Sequence, residues 1–316
     1  MPDLLLIGGA TDVMLARMEE KFTIHKLTQI EDFAAWAAEH GSKVEAISTN
    51  GHDGVKPEIM VALPNLKVVS CYGVGYDAID TGACVARGIK VSHTPNVLNA
   101  EVANTTLLLL LAGYRNFLHD EAYARSGNWE RHGNAPLSRS PDNRTIGILG
   151  LGRIGQEIAD RLSIFNPTIV YHTRTKKDVP YQYYGNLVEM AAACDVLVCI
   201  TPGGPSTNKI VNKDVLEALG PEGMLINVSR GSVVDEDALI EALGSGKLGS
   251  AGLDVFVEEP KVPDALKTME NVVLLPHVGS ATLETRAAMG ALTVDNLLQF
   301  LSDGTVKTPV PECADM

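Results

Sequence analysis

Several classes of protein are set aside by what this sequence lacks. Basic residues are outnumbered, 26 Lys and Arg against 39 Asp and Glu, for a formal net charge of −13 over 316 residues. Nucleic acids and anionic membrane surfaces both reward a basic face, so neither is expected as a main partner. Long apolar runs are missing as well. The greasiest stretch, LLLLLAG at 107–113, falls far short of the roughly 20 residues needed to span a bilayer. The N-terminus, MPDLLLIGGA, has no basic region ahead of its short apolar run. It is expected to be a strand and not a secretory signal, with the cytoplasm as compartment. Cysteines are few and unpaired: Cys71, Cys84, Cys194, Cys199 and Cys313 form no C-x-x-C and no metal-ligand spacing. Reduced thiols and no metal site are expected.

What is present is an alternation of apolar strand-like runs with helical patterns along the whole chain. LLLIGG, AISTN, LKVVSCYG and GIKVSHTP come first; TIGILGLG, TIVYHT, DVLVCITP, GMLINVSRG, GSAGLDVF and NVVLLPHVG follow. Continuous Val, Ile and Leu runs suit parallel strands covered on both faces. Repeated strand–helix units predict an α/β fold. The strands are too many for one sheet, and a glycine-rich loop stands mid-chain. Two doubly wound parallel-sheet domains are therefore expected. A Rossmann dinucleotide-binding domain of residues 97–284 interrupts a flavodoxin-like substrate domain of residues 1–96 and 285–316. The helical segments NVLNAEVANTTLLLLLAGYRNFL and LETRAAMGALTVDNLLQFLSDG would carry the chain out and back. The tail KTPVPECADM is expected to be loosely ordered.

The loop GLGRIG spaces Gly150, Gly152 and Gly155 as G-x-G-x-x-G, after a strand and before a helix. The first glycine permits a tight turn, the second a close approach to a pyrophosphate, and the third close helix–strand packing. Phosphates then rest on the amides of a helix N-terminus. The next strand should end in an acid that holds the adenosine ribose. Here it runs out into Thr173, Arg174, Thr175, Lys176 and Lys177. An acid would repel a ribose 2′-phosphate, whereas Arg174 can bind it with charge-assisted bonds, aided by a threonine hydroxyl. NADP(H) is the expected nucleotide, with NAD(H) second.

Three predicted strand ends carry polar residues. Arg230 follows LINVS, Glu258 and Glu259 follow GLDVFV with Asp254 inside it, and His277 follows VVLLP. In open α/β sheets ligands sit outside the carboxyl ends of strands. Reduction of a 2-keto acid needs a cation for the carboxylate and carbonyl, and a proton donor for the oxygen. Arg230 suits the first task and His277 the second. Glu259 is placed to fix the tautomer of His277.

GILGLGRIGQEIA, LINVSRGSVVDEDALIEAL, AGLDVFVEEP and NVVLLPHVGSAT, together with VVSCYGVGYDAIDTGACVARGIKVSHTP, resemble the D-isomer-specific 2-hydroxyacid dehydrogenase family over nearly the whole chain. The resemblance implies Arg230, Glu259 and His277 as catalytic residues. It implies Tyr72, Gly73, Val74 and Gly75 at the substrate, the amides around Val74 and Gly75 holding its carboxylate. Around the nucleotide it implies Thr106, Arg153, Ile154, His172, Thr201, Pro202, Thr207, Val228, Ser229, Asp254 and Gly279, beside the glycine loop, the 173–175 segment, Arg230 and His277. Asn104 stands where the family commonly has an acid. The HTRT strand end is similar to the glyoxylate/hydroxypyruvate reductases, which work with NADPH. That subgroup implies a homodimer formed through the cofactor domain and a projecting segment of about 97–145, with Trp129 reaching the partner's substrate. Two other readings are reduction of larger keto acids such as phenylpyruvate or 4-hydroxyphenylpyruvate, and a non-catalytic nucleotide sensor of the same fold.

Overall fold

The apolar runs become parallel strands in a computed structural model that describes all 316 residues. Two units are distinguished, Met1–Leu98 with Thr282–Met316, and Asn99–Ala281. The inserted unit thus begins at Asn99 where 97 is expected, and ends at Ala281 where 284 is expected.

In the first unit five strands, β1 (Asp3–Leu6), β2 (Thr23–Lys26), β3 (Val44–Asn50), β4 (Val68–Tyr72) and β5 (Lys90–Ser92), form one sheet in the order β2-β1-β3-β4-β5. Every pairing is parallel, and the order is that of flavodoxin-like folds. Successive side chains of a strand face opposite ways. Leu5 and Ile7 accordingly enter one apolar cluster with Ile47, Val69 and Val91, and Leu4 and Leu6 enter another with Met14, Met18 and Leu297. β2, TIHK, is absent from the sequence expectation: as an edge strand it buries no residue fully, so it carries no continuous apolar run.

The last helix, Leu283–Asp303, starts under a Thr282 cap that accepts the Thr285 amide, and stops at Gly304 in the left-handed region at φ +76°. Its Val294 and Leu297 fill the second cluster. The tail is not loose as expected. The Val310 amide donates to the Val91 carbonyl at 2.9 Å, Ser92 bridges Pro309, and Cys313 is buried. Val310 and Cys313 supply the apolar anchor that the pattern Thr-Pro-Val-Pro-Glu-Cys conceals.

The second unit holds β6 (Thr145–Leu149), β7 (Thr168–His172), β8 (Gln182–Tyr183), β9 (Val196–Cys199), β10 (Met224–Asn227), β11 (Ser250–Leu253) and β12 (Val272–Leu274), in the order β12-β11-β10-β9-β6-β7-β8. All are parallel. The chain order reverses direction between β6 and β9, the switch point of a Rossmann fold, where ligands bind. The two-residue β8 is too short to leave a sequence signal. The helix Asn99–Tyr114 lies against this sheet, Leu109 meeting the bare backbone of Gly252. It stops short of the expected 118. Asn116 turns left-handed at φ +49°, and a separate helix runs Phe117–Arg125. No helix is long and apolar enough to cross a membrane.

Candidate active site

At the switch point the three glycines have different reasons to be there. Gly150 has φ +102°, and a Cβ on it would come within 2.7 Å of the Thr201 amide, on the segment leaving β9. A Cβ on Gly155 would lie 2.3 Å from the Gly150 carbonyl oxygen. Both glycines are thus required by the fold. A Cβ on Gly152 would meet nothing within 4 Å. That open space lies at the N-cap of the helix Arg153–Leu162, whose first-turn amides need acceptors from outside the helix. The cradle fits a pyrophosphate, and Arg153 and Ile154 open the helix above it. Thr201 and Pro202 follow β9, and Thr207 folds this loop by donating its hydroxyl to the Pro202 carbonyl at 2.7 Å.

β7 ends at His172, whose Nδ1 donates to the Tyr184 carbonyl at 2.8 Å. Thr173 donates its hydroxyl to the Thr175 carbonyl at 2.7 Å, which curls the segment into a tight turn. Arg174, Thr175, Lys176 and Lys177 are exposed there. The donors left at the end of β7 are thus the Thr175 hydroxyl, a guanidinium and ammonium groups, with no carboxylate before Asp178.

β10, β11 and β12 are neighbours in register, Asn227 opposite Leu253 and Leu253 opposite Leu274. Their carboxyl ends therefore lie side by side, and deliver Arg230, Glu259 and His277. His277 Nδ1 lies 2.6 Å from Glu259 Oε2. A carboxylate can only accept, so Nδ1 carries the proton and Nε2 is left for other chemistry. The other oxygen of Glu259 accepts the Phe256 amide at 3.0 Å, so the carboxylate is held from both sides. Glu258 instead faces water beside Lys261.

His277 itself sits in the left-handed region at φ +53°, a conformation that non-glycine residues adopt at some cost. Asp254 enforces it. The carboxylate is buried and accepts the amides of Val278 at 2.7 Å and Gly279 at 2.8 Å. Burial pushes its pKa up, and these two bonds pull it back. The carboxylate expected near the nucleotide is thus also the clamp on the turn that carries the histidine.

Asn227, at the end of β10, has a matching role that sequence reading missed. Its Oδ1 accepts from the Ser229 amide and hydroxyl, and its Nδ2 donates to the Arg230 carbonyl at 2.9 Å. Arg230 Nη1 donates to the Ser229 carbonyl at 2.8 Å. Val228 and Ser229 are nearly covered. The only hint in the sequence was a polar residue closing an apolar run.

Thr106 needs correction. It is wholly buried and its hydroxyl is spent on the Val102 carbonyl at 2.9 Å, one turn back in its own helix, so in this structure it offers a nucleotide no donor. Its neighbour Thr105 is partly exposed and reaches the Gly279 carbonyl at 3.4 Å. Helical rotation of about 100° per residue separates the two. Asn104 accepts from Arg161 at 2.9 Å, an acceptor role that an acid would also fill.

In the first unit, Tyr72 ends β4 and the loop Gly73–Gly75 follows. Tyr72 turns its hydroxyl to the Arg286 carbonyl at 3.2 Å, under the Arg286 guanidinium. Trp129 belongs to the second unit, in the short helix Asn128–His132, and is 62% exposed. Phe117, Leu118 and Leu137 are exposed apolar residues of the same projecting segment.

A family model described as "D-isomer specific 2-hydroxyacid dehydrogenase, NAD binding domain" matches residues 107–279. Glyoxylate/hydroxypyruvate reductase A of Arabidopsis thaliana is 42% identical over 93% of this chain and 94% of its own. Hydroxyphenylpyruvate reductase of Plectranthus scutellarioides is 44% identical over 88% of each. Among solved structures, the NADPH-dependent glyoxylate/hydroxypyruvate reductase of Sinorhizobium meliloti, in complex with NADP and malonate, superposes with a TM-score of 0.92. It is 47% identical and covers 99% of this chain and 97% of that one. The chain belongs to the D-isomer specific 2-hydroxyacid dehydrogenase family, and is an NAD(P)-dependent enzyme.

Proposed function

From that membership we propose that the chain reduces small 2-keto acids, glyoxylate and hydroxypyruvate first among them, to D-2-hydroxy acids with NADPH. The observation that carries this reading is the His277–Glu259 pair beside Arg230 on adjacent strand ends of a unit with a glycine cradle.

The cradle of Gly150, Gly152 and Gly155 holds the pyrophosphate, with Thr201, Pro202 and Thr207 on the loop after β9. The Arg174 turn, with His172, Thr173 and Thr175, takes the ribose 2′-phosphate. Thr105, Val228, Ser229, Asp254 and Gly279 line the nicotinamide side. The bound nucleotide supplies the hydride. Arg230 holds the substrate and polarises its carbonyl, and the amides of Val74 and Gly75 take the carboxylate. His277, its Nδ1 fixed by Glu259, gives a proton from Nε2 to the carbonyl oxygen as carbon receives hydride. In the oxidative direction it takes that proton back. A positively charged imidazole beside a carboxylate stabilises the charge that develops on oxygen.

Preference for NADPH rests on the basic end of β7 and on the NADP complex of the Sinorhizobium relative. Dimerisation through the 97–145 segment rests on exposed Phe117, Leu118, Trp129 and Leu137, with Trp129 reaching the partner's substrate. The reading includes a cytoplasmic location, and the net charge of −13 disfavours nucleic acid and anionic membrane surfaces as partners. The identity to hydroxyphenylpyruvate reductase supports larger keto acids as the second reading.

Steady-state NADPH oxidation with glyoxylate, hydroxypyruvate, phenylpyruvate and 4-hydroxyphenylpyruvate tests both. The highest kcat/KM is expected with the small acids. Superiority of the aryl acids selects the second reading, and tight nucleotide binding without turnover of any keto acid leaves a sensor.

A further inference from the structure

The loop that follows β4 shows how its amides are aimed. The carbonyl oxygens of Gly73, Val74 and Gly75 are each taken by a group of the first unit. The Thr94 amide donates to Gly73 at 2.8 Å, His93 Nδ1 meets Val74 at 2.9 Å, and the Cys71 thiol reaches Gly75 at 3.6 Å. A carbonyl only accepts, so His93 carries its proton on Nδ1. In a trans peptide the C=O of one residue and the N–H of the next point in opposite directions across a rigid plane. Each carbonyl held by such a group therefore turns the amide of the following residue, Val74, Gly75 or Tyr76, away from that group. None of these three amides donates to an acceptor in the chain.

His93 is itself fixed. Its amide donates to the Thr308 carbonyl at 3.1 Å, and the Thr308 hydroxyl donates back to the His93 carbonyl at 2.6 Å. The Tyr76 ring stands edge-on to the imidazole, with centroids 5.3 Å apart. The Tyr76 hydroxyl donates to the carboxylate of Glu312 at 3.1 Å, and burial together with this acid pushes the phenol up to about 12. The C-terminal tail thus grips the loop at both ends of this chain of contacts.

We propose that His93 is a positioning residue for the substrate carboxylate, aiming the Gly75 amide through the Val74 carbonyl, and that Thr308 and Glu312 of the tail set His93 and Tyr76 for that task. The inference rests on the reductase reading, in which these amides bind the carboxylate in ground and transition states alike. Loosening them should therefore raise KM and leave kcat nearly unchanged.

His93→Ala and the milder Tyr76→Phe, which removes one hydroxyl, are compared with the unsubstituted protein. The KM for glyoxylate, the Ki of oxamate (an unreactive keto-acid mimic) and the KM for NADPH are measured. Loss of a hydrogen bond that orients a binding amide predicts a rise of about 3- to 10-fold in the first two for His93→Ala. A smaller rise in the same direction is expected for Tyr76→Phe, with the KM for NADPH unaltered. Unchanged glyoxylate KM and oxamate Ki in the folded variants, despite normal turnover in the unsubstituted protein, overturn the inference alone. If His93→Ala does not fold, Tyr76→Phe decides by the same criterion. Absence of keto-acid turnover in the unsubstituted protein overturns the reductase reading and this inference with it.

Discussion

His277 Nδ1 and Glu259 Oε2 stand 2.6 Å apart although 18 positions separate the residues in the chain. Two parallel strands ending side by side bring them together. A hydrogen bond this short between a ring N–H and a carboxylate holds the imidazole plane and leaves a single nitrogen for proton exchange. His277→Ala is expected to lower kcat by roughly 10²–10⁴-fold. Nucleotide affinity, measured by fluorescence titration, stays within a factor of about 3, because one such contact contributes little to binding. Glu259→Gln keeps the shape but can donate to Nδ1, which permits the wrong tautomer, and a fall in kcat of similar order is expected. Unaltered kcat in either variant would remove that residue from the reaction.

Asp254 predicts a coupled loss. Asp254→Ala strands the amides of Val278 and Gly279 in a buried place, at about 1–3 kcal/mol for each unsatisfied donor. It also frees the left-handed turn at His277. Thermal unfolding should show a lower Tm, and kcat should fall in protein that remains folded.

The glycines separate fold from binding. Gly155→Ala forces a Cβ to 2.3 Å from a backbone oxygen, and should destabilise the unit by about 1–3 kcal/mol or more. Gly152→Ala meets no protein atom within 4 Å, so Tm should be unchanged while the Kd for NADPH rises. A Gly152→Ala protein that binds NADPH normally would put the pyrophosphate elsewhere.

Arg174→Asp replaces an exposed cation with an acid at the end of β7. Loss of charge-assisted bonds to a phosphate should raise the KM for NADPH by about 10- to 100-fold. NADH efficiency should hold or improve, since an acid suits a free 2′-hydroxyl. The ratio of the two kcat/KM values reads this directly.

Burial pushes the Cys84 and Cys194 thiols up to about 12 from an ordinary 9.0. Between those values the unfolded chain gives up thiol protons that the folded chain keeps. The contribution to stability is therefore complete below about pH 9 and is lost as pH climbs towards 12. Tm should fall between pH 8 and pH 10.5, by less in Cys84→Ala, which has no thiol to titrate. At pH 8 neither thiol should react with Ellman's reagent until the protein is denatured.

Much of the fold was written in local pattern. Continuous apolar runs such as VLVC and MLIN are buried throughout, and G-x-G-x-x-G between a strand and a helix marks the switch point. The strand-end residues Arg230, Glu259 and His277 were legible because each interrupts an apolar run with a chemically unusual side chain. Edge strands TIHK and QY were not legible, since a strand that buries little leaves no run. The choice between Thr105 and Thr106 was equally hidden, because composition cannot tell which of two adjacent threonines a helix turns inward.

Period and spacing, being properties of neighbours along the chain, sufficed to determine an α/β protein with a nucleotide loop and three polar strand ends. Contacts between distant segments were decided only in three dimensions. Asp254 became a clamp on Val278 and Gly279 through strand register, and Asn227 a brace for Ser229 and Arg230 through a turn. The tail became ordered because Val310 and Cys313 found a core to enter and Glu312 a tyrosine to accept from. Such bonds form only where the folded backbone leaves a donor and an acceptor no better partner, and that is a property of the assembled structure.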